Sequence, residues 1–295
     1  MKEQQISDTS EMDSSGDNFG TPKEQNPTVY GKYYHDFFND KFVREIIHPN
    51  KDKGYFVDCG ATDGILQSQT LRFEEDGWDG ICIEPNWAFH DELEKNRKCI
   101  IEKSAIVPKG YEGMHAFKQK EAHTLSHVIF NANEMSQKTY DVPGMSITSI
   151  LQKHDAPIEI DFMGIDIEGK FGDAFCIEEQ MLEELIKSKY KVNFFSIEHY
   201  WPPSLEKVFN ESNYVKVFNP FLKGIWLNRK DGLTYTLSPW GHFICQQFGN
   251  EVEIDMKDLS PITWECYYVH IDVVKKNSYL KRFLNPLFDS KLLYQ

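Results

Sequence analysis

The chain has 295 residues, 40% hydrophobic and 26% charged, a balance that suits a soluble protein of one large or two small domains with a sizeable core. Its 46 acids against 32 bases leave a net charge of −14, which repels phosphate backbones and removes nucleic acid from the expected partners. The 6 cysteines form no CxxC pair, no apolar run is long enough to span a membrane, and the N-terminus has no apolar signal core. Zinc knuckles and disulfide frameworks are therefore not expected, and the expected compartment is the cytoplasm.

Residues 1–28 are rich in Ser, Asp, Glu, Gln and Asn, and their few apolar side chains cannot offset the entropy of ordering, so the segment is predicted to be disordered. From Val29 the composition changes. Apolar and aromatic residues at helical spacing predict an opening helix from Tyr34 to Ile47, ended by Pro49. Strands and helices then alternate: GYFVDCG as strand, ILQSQTLRFEED as helix, DGICIEP as strand, AFHDELEKN as helix and KCIIEKSAIV as strand. Cys59, Cys82 and Cys99 sit in these apolar runs and read as small core residues. A less regular part from Pro108 to Gly144 holds two short strands, GMHAFK and SHVIF. SITSILQKH is a short helix capped by Ser146, followed by the strand IEIDFMGIDIEG, the amphipathic helix EEQMLEELIKSK and the buried strand KVNFFSIEHY. The helix PSLEKVFNES and the strands YVKVF and GIWLNRK complete a main domain over residues 29–230. Residues 231–295 form a C-terminal extension with β-character around Thr263 to Val274. It extends the sheet, covers a pocket or builds a dimer contact.

This alternation predicts an α/β protein with a mostly parallel sheet and helices on both faces, binding its ligand at the carboxyl ends of the strands. Three of those ends carry acids: Asp58-Cys59-Gly60-Ala61-Thr62-Asp63-Gly64, then Glu84-Pro85-Asn86, then Asp166-Ile167-Glu168-Gly169. Gly60 and Gly64 allow a tight turn and close approach to a ligand. A dinucleotide site would carry G-x-G-x-x-G so that a pyrophosphate meets backbone amides. Asp58 and Asp63 would repel a diphosphate and suit a cationic ligand instead, while Glu84 suits the two hydroxyls of a ribose. S-adenosylmethionine carries both a cationic end and a ribose.

FVDCGATDG, LQSQTLRFEEDGWDGICIEPN, KNRKCIIEKSAIV and IDFMGIDIEGKFGDAF, in this order between about Gly54 and Arg229, resemble the FkbM-type S-adenosylmethionine-dependent methyltransferases. The resemblance implies the class I methyltransferase, Rossmann-like fold, a seven-stranded sheet with a final antiparallel strand, and O-methyl transfer to sugar or polyketide hydroxyls. It implies that Asp58, Gly60 and Ala61 form the loop at the methionine end, completed by Asp63 and Gly64. Glu84 would hold the ribose, Pro85 and Asn86 would shape the adenosine slot, and Ser104 and Ala105 would lie beside the adenine. Asp166 and Glu168 match the family's D-x-E-G element, close to the transferred methyl group.

A sugar hydroxyl is a poor nucleophile, so a base is expected: Asp166 first, His199 second, with Glu168 orienting either or acting itself. No metal is assigned to the site. Asp166, Glu168 and Glu198 would be the oxygen ligands of a magnesium-assisted alternative. The expected acceptor is a sugar, glycan or other hydroxyl compound. Two other functions stand beside this one: an NAD-dependent oxidoreductase, since an acid such as Glu84 also grips the ribose there, and a catalytically silent binding module.

Overall fold

The computed structural model describes residues 32–35, 37–119, 126–129, 139–167, 170–171, 175–198, 202–209, 212–217, 219, 221, 225–228, 234–237, 243–245, 251–252, 259–261 and 265–284. The segment predicted to be disordered, 1–28, lies outside them, as do Glu168 and His199.

Seven strands form the central sheet: β1 Tyr55–Cys59, β2 Asp79–Ile83, β3 Ile100–Glu102, β4 Phe162–Ile165, β5 Phe194–Glu198, β6 Tyr214–Val217 and β7 Glu265–His270. Their spatial order is β3-β2-β1-β4-β5-β7-β6. The first five pair in parallel, whereas β7 runs antiparallel to both β5 and β6. Strands β1, β2 and β4 are almost wholly buried, as their near-continuous apolar runs require when helices cover both faces.

The two faces carry separate cores. On one, Val57, Ile81, Met163, Phe195 and Tyr268 meet Ile147 and Ile150 of α4 (Ile147–Lys153), Met181 and Leu185 of α5 (Ile177–Ile186) and Phe209 of α6 (Pro202–Phe209). On the other, Phe56, Phe162 and Phe194 meet Phe42 of α1 (Asn39–Phe42), Phe73 of α2 (Leu71–Glu75), Leu93 of α3 (Trp87–Asn96) and Val274 of α7 (Ile271–Lys276). Phe162, Phe194 and Tyr267 stack in sequence across β4, β5 and β7 on this second face.

Several elements differ from the sequence expectation. The opening helix begins at Asn39, not Tyr34, because Phe38 takes a left-handed backbone and the Tyr34 amide is tied to Asp40 Oδ2. From Val43 to Ile47 it continues as a π-helical turn. The second helix keeps only Leu71–Glu75, since Ser68 Oγ accepts from the amides of Thr70 and Leu71 and holds the preceding residues in a turn. Ser146 does cap α4, accepting from the Ser149 amide.

The C-terminal region differs most. Ile225–Asn228 is not the last strand of the main sheet. It pairs with Thr234–Leu237 and Leu259–Pro261 in a separate five-stranded antiparallel sheet between β6 and β7. The strand β7 then lies inside the central sheet, so of the three roles open to the C-terminal region, residues 265–270 take sheet extension. A boundary at residue 230 divides the β-hairpin of the small sheet and severs β7 from its neighbours. No helix among the described residues is long and apolar enough to cross a membrane.

Candidate active site

Strand register assembles the site. Beyond the paired row Ile83, Cys59, Ile165, Ile197, the next residues are Glu84, Gly60, Asp166 and Glu198, and Glu198 pairs with Glu265 of β7. Hydrogen bonds continue the ladder there: the Gly60 amide donates to Ile83 O at 3.0 Å and the Asp166 amide to Cys59 O at 2.9 Å. Glu84, Gly60, Asp166, Glu198 and Glu265 thus form one row across the carboxyl ends of β2, β1, β4 and β5 and the amino end of the antiparallel β7.

Gly60 closes the row. Its φ is +95°, and a Cβ there would lie 1.9 Å from Asp166 O. Gly64, at φ +81°, packs on Arg97 and Leu93, where a Cβ would meet Arg97 Cγ at 2.6 Å. Most of the loop's amides are already engaged. Gly60 and Ala61 donate to Ile83 O, and Gly64 donates to Ala61 O. Thr62 donates to Glu84 Oε2, while Ile65 and Leu66 donate to Asp63 Oδ1. The next helix starts only at Leu71. A pyrophosphate needs free amides at a helix start, whereas here no helix follows directly and most of the amides are spent.

Glu84 is 5% exposed and accepts from two backbone amides, Thr62 at 2.9 Å and Asn86 at 2.7 Å. Burial pushes its carboxyl up to about 7. The two amides oppose that rise and the neighbouring Asp58 charge adds to it. Asn86 caps α3 through the Ala88 amide and accepts from Tyr140 Oη at 3.0 Å. Pro85 is half-buried between them, and Ser104 and Ala105 are buried where β3 gives way to a four-stranded sheet through the Ala105–Gly144 pair.

Two expected loop acids do other work. Asp58 is buried behind the loop, accepting from Thr70 Oγ1 at 2.5 Å with Arg97 Nη1 at 4.0 Å. Burial raises its carboxyl, and Arg97 and Thr70 oppose the rise. Asp63 spends its carboxylate on the turn it begins. Asp58 and Asp63 flank the loop as expected in sequence, but Asp58 turns inward to Thr70 and Arg97 and Asp63 caps its own turn. Asp166 is exposed at the sheet edge.

Two groups of residues escape the sequence pattern. Arg97 reads as an ordinary base at the end of a helix, yet its guanidinium is fully buried. It donates to Gly64 O, Ser68 Oγ, Thr70 Oγ1 and Glu74 Oε2. Asn39, Ser196, Glu265 and Tyr267 form a buried polar cluster beside Gln69. Asn39 Nδ2 donates to Gln69 Oε1 and Ser196 Oγ, Ser196 Oγ to Glu265 Oε2 at 2.7 Å, and Tyr267 Oη to Asn39 Oδ1. The sequence signal is thin: an acid opening a β-rich run and an asparagine in a short helix, 226 positions apart.

Burial raises the Glu265 carboxyl to about 7, with Glu198 adding to the rise and Ser196 and Asn39 opposing it. A carboxyl raised on folding binds its proton more tightly in the native state. Its stabilising contribution is complete below the unfolded value and is lost as pH rises through about 7. Glu265→Gln should therefore gain on the parent protein, on the order of 2 kcal/mol, between pH 5 and pH 8. Urea midpoints of the two proteins at both pH values check this. The buried His35 and His48 titrate in the opposite sense but are common to both proteins. A pH-independent difference would show that Glu265 is ionised throughout.

A cavity of about 460 Å³ lies away from this row, against His48, Lys51, Lys191, Asn193 and Asp272. Lys51 pairs there with Asp161, and Lys191 with Glu159 and Asp272. Among the described residues no group of three or more His, Cys, Asp or Glu is placed to hold a metal ion.

The sheet and its glycine loop define an α/β protein with a mostly parallel sheet that carries the loop at its carboxyl edge. Residues 58–220, more than half of the chain, match the FkbM methyltransferase domain, and the chain belongs to that methyltransferase family. No curated protein matches the chain. Among solved structures it is similar to precorrin-6y C5,15-methyltransferase from Geobacter metallireducens. The identity is 10% and the TM-score 0.32, covering 78% of this chain and 84% of that one, a likeness too slight to bear on the site.

Proposed function

We propose that this protein is an S-adenosylmethionine-dependent O-methyltransferase that methylates a hydroxyl of a sugar or glycan. The observation that carries the cofactor half is Glu84: a buried carboxylate at the end of β2, beside a glycine loop whose Gly60, Ala61, Thr62 and Gly64 amides are already engaged. That combination suits a ribose and disfavours a diphosphate. When bound, S-adenosylmethionine supplies a methyl group activated on a sulfonium. Glu84 retains lone pairs for the ribose hydroxyls after accepting from Thr62 and Asn86. Gly60, Ala61, Asp63 and Gly64 shape the loop toward the methionine end, and Arg97 and Asp58 hold that loop from behind. Pro85, Asn86, Ser104 and Ala105 border the adenosine side. Asp166 takes the acceptor's proton at its carboxylate, with Glu168 expected to orient it and His199 as the alternative base.

Thermal shift separates this reading from an oxidoreductase: S-adenosylhomocysteine should raise the melting temperature and NAD should not. Incubation with labelled cofactor and a panel of glycans then identifies the acceptor. Asp166→Asn should lower turnover by roughly 10²–10⁴-fold while leaving affinity for S-adenosylhomocysteine within about threefold. Stabilisation by NAD alone would overturn the cofactor assignment, and full turnover by Asp166→Asn would remove Asp166 as the base.

A further inference from the structure

Cys82 and Cys99 face each other across neighbouring parallel strands. Cys82 lies inside β2 and is fully buried, whereas Cys99 directly precedes β3 and is half-buried. Both are free thiols, and the Cys99 thiol donates to Cys82 Sγ at 3.4 Å. A disulfide needs about 2.05 Å, so closure requires one side to move by more than an ångström. Cys82 cannot easily supply that movement, because its backbone is paired with Asp58 on one flank and Ile101 on the other. Cys99 lies before the first paired residue of β3, Ile100, so the movement falls on the segment from Arg97 to Cys99.

That segment also supports the glycine loop. Glu74 gathers it, accepting from Arg97 Nε at 3.1 Å, from the Lys98 amide at 2.9 Å and from the Cys99 amide at 3.2 Å. Arg97 then reaches Gly64 O at 3.4 Å, Ser68 Oγ at 3.3 Å and Thr70 Oγ1 at 2.9 Å, and Thr70 donates to Asp58. Burial alone would lower the Arg97 guanidinium. The sulfurs of Cys82 and Cys99 and the carboxylates of Asp58 and Glu74 outweigh it, so its cation is retained. Burial and the bond from Cys99 hold the Cys82 thiol well above its ordinary value, and Arg97 opposes that rise.

We propose that Cys82 and Cys99 are a modification site: a dithiol that a small-molecule disulfide oxidises to a Cys82–Cys99 bond, displacing Arg97 and loosening the loop that grips the cofactor. The cofactor part rests on the function proposed above. In the first step the Cys99 thiolate attacks one sulfur of the small disulfide. A mixed disulfide forms at Cys99, and one small thiolate leaves and takes up the proton that Cys99 gave up. The Cys82 thiolate then attacks Cys99 Sγ, the mixed disulfide breaks, and the second small thiolate leaves and takes up the Cys82 proton. Two protein thiols are oxidised and one small disulfide is reduced to two thiols. Cys59 and Cys266, the other described free cysteines, are buried.

The test treats the full chain with oxidised glutathione, alkylates the remaining thiols and maps the peptides by mass spectrometry. Hydrogen exchange over residues 60–70 and affinity for S-adenosylhomocysteine are measured before oxidation, after it and after re-reduction. We expect a Cys82–Cys99 cross-link, faster exchange in the loop and roughly tenfold weaker binding, all reversed by reductant. Cys99→Ser should bind like the reduced parent and ignore oxidised glutathione. Cys82→Ala should take up one glutathione at Cys99 and form no internal bond. Alkylation of both cysteines after oxidation overturns the site. A cross-link that leaves loop exchange unchanged overturns the coupling through Arg97, as does an equal response from Cys99→Ser. If the reduced protein fails to bind S-adenosylhomocysteine, the cofactor reading falls, and the exchange data still decide the dithiol.

Discussion

Glu84→Ala is expected to weaken binding of S-adenosylhomocysteine by on the order of 100-fold, the loss of about two hydrogen bonds to a charged group. Calorimetric titration reads it. Alanine also strands the Thr62 and Asn86 amides, so this variant should lose stability as well. Glu84→Gln separates the two effects, since it keeps an oxygen for one amide but has no charge. Its binding should be weak at every pH. In the parent, protonation of Glu84 competes with the ribose, so affinity should fall as pH drops through about 7, the value to which burial has raised this carboxyl. A parent affinity that is flat from pH 8 to pH 6, or a Gln variant that binds as well as the parent, would detach Glu84 from the ribose.

Gly60→Ala should be the most destabilising single substitution in the loop. The new methyl group would lie 1.9 Å from Asp166 O, a backbone atom with no freedom to swing away, on a residue already at φ +95°. The ends of β1 and β4 would have to part. A loss of at least about 3 kcal/mol is expected, measured by urea unfolding, with binding of S-adenosylhomocysteine falling in parallel. Gly77→Ala is the control. It has a similar φ of +88° but nothing within 4 Å of the added carbon, so it should cost only about 1 kcal/mol. Equal losses at the two positions would mean that backbone conformation, not close approach of β1 to β4, makes Gly60 necessary.

The glycine after β1 shows how far a sequence can be read. The turn there is legible because Asp58-Cys59-Gly60 ends a buried apolar run, and glycine at such a point marks a sharp change of chain direction. What Gly60 avoids is not legible, because Asp166 O belongs to a different strand end, far along the chain. Glu84 is legible for the same local reason: an acid closing an apolar strand before proline. Asp58 and Asp63 are legible as strand-end acids, but their directions are not. One turns inward to Thr70 and Arg97 and the other caps its own turn, and both outcomes depend on neighbours that the local pattern does not specify. The opening helix is overextended in the sequence because Tyr34 to Phe38 have helical spacing, while a hydrogen bond from Tyr34 to Asp40 and a left-handed Phe38 decide otherwise.

Local pattern alone determined the α/β alternation, the helices on both faces and the acids at three strand ends, since periodicity and strand-end chemistry are properties of neighbouring residues. Only the folded chain decided that residues 265–270 insert between β5 and β6, bringing Glu265 opposite Glu198. It likewise decided that Arg97 is a buried brace and that two core cysteines lie within contact distance. Each of these is a pairing between residues distant in sequence. Such pairings are selected by how whole strands share hydrogen bonds and buried surface, and a strand's own composition is compatible with many partners.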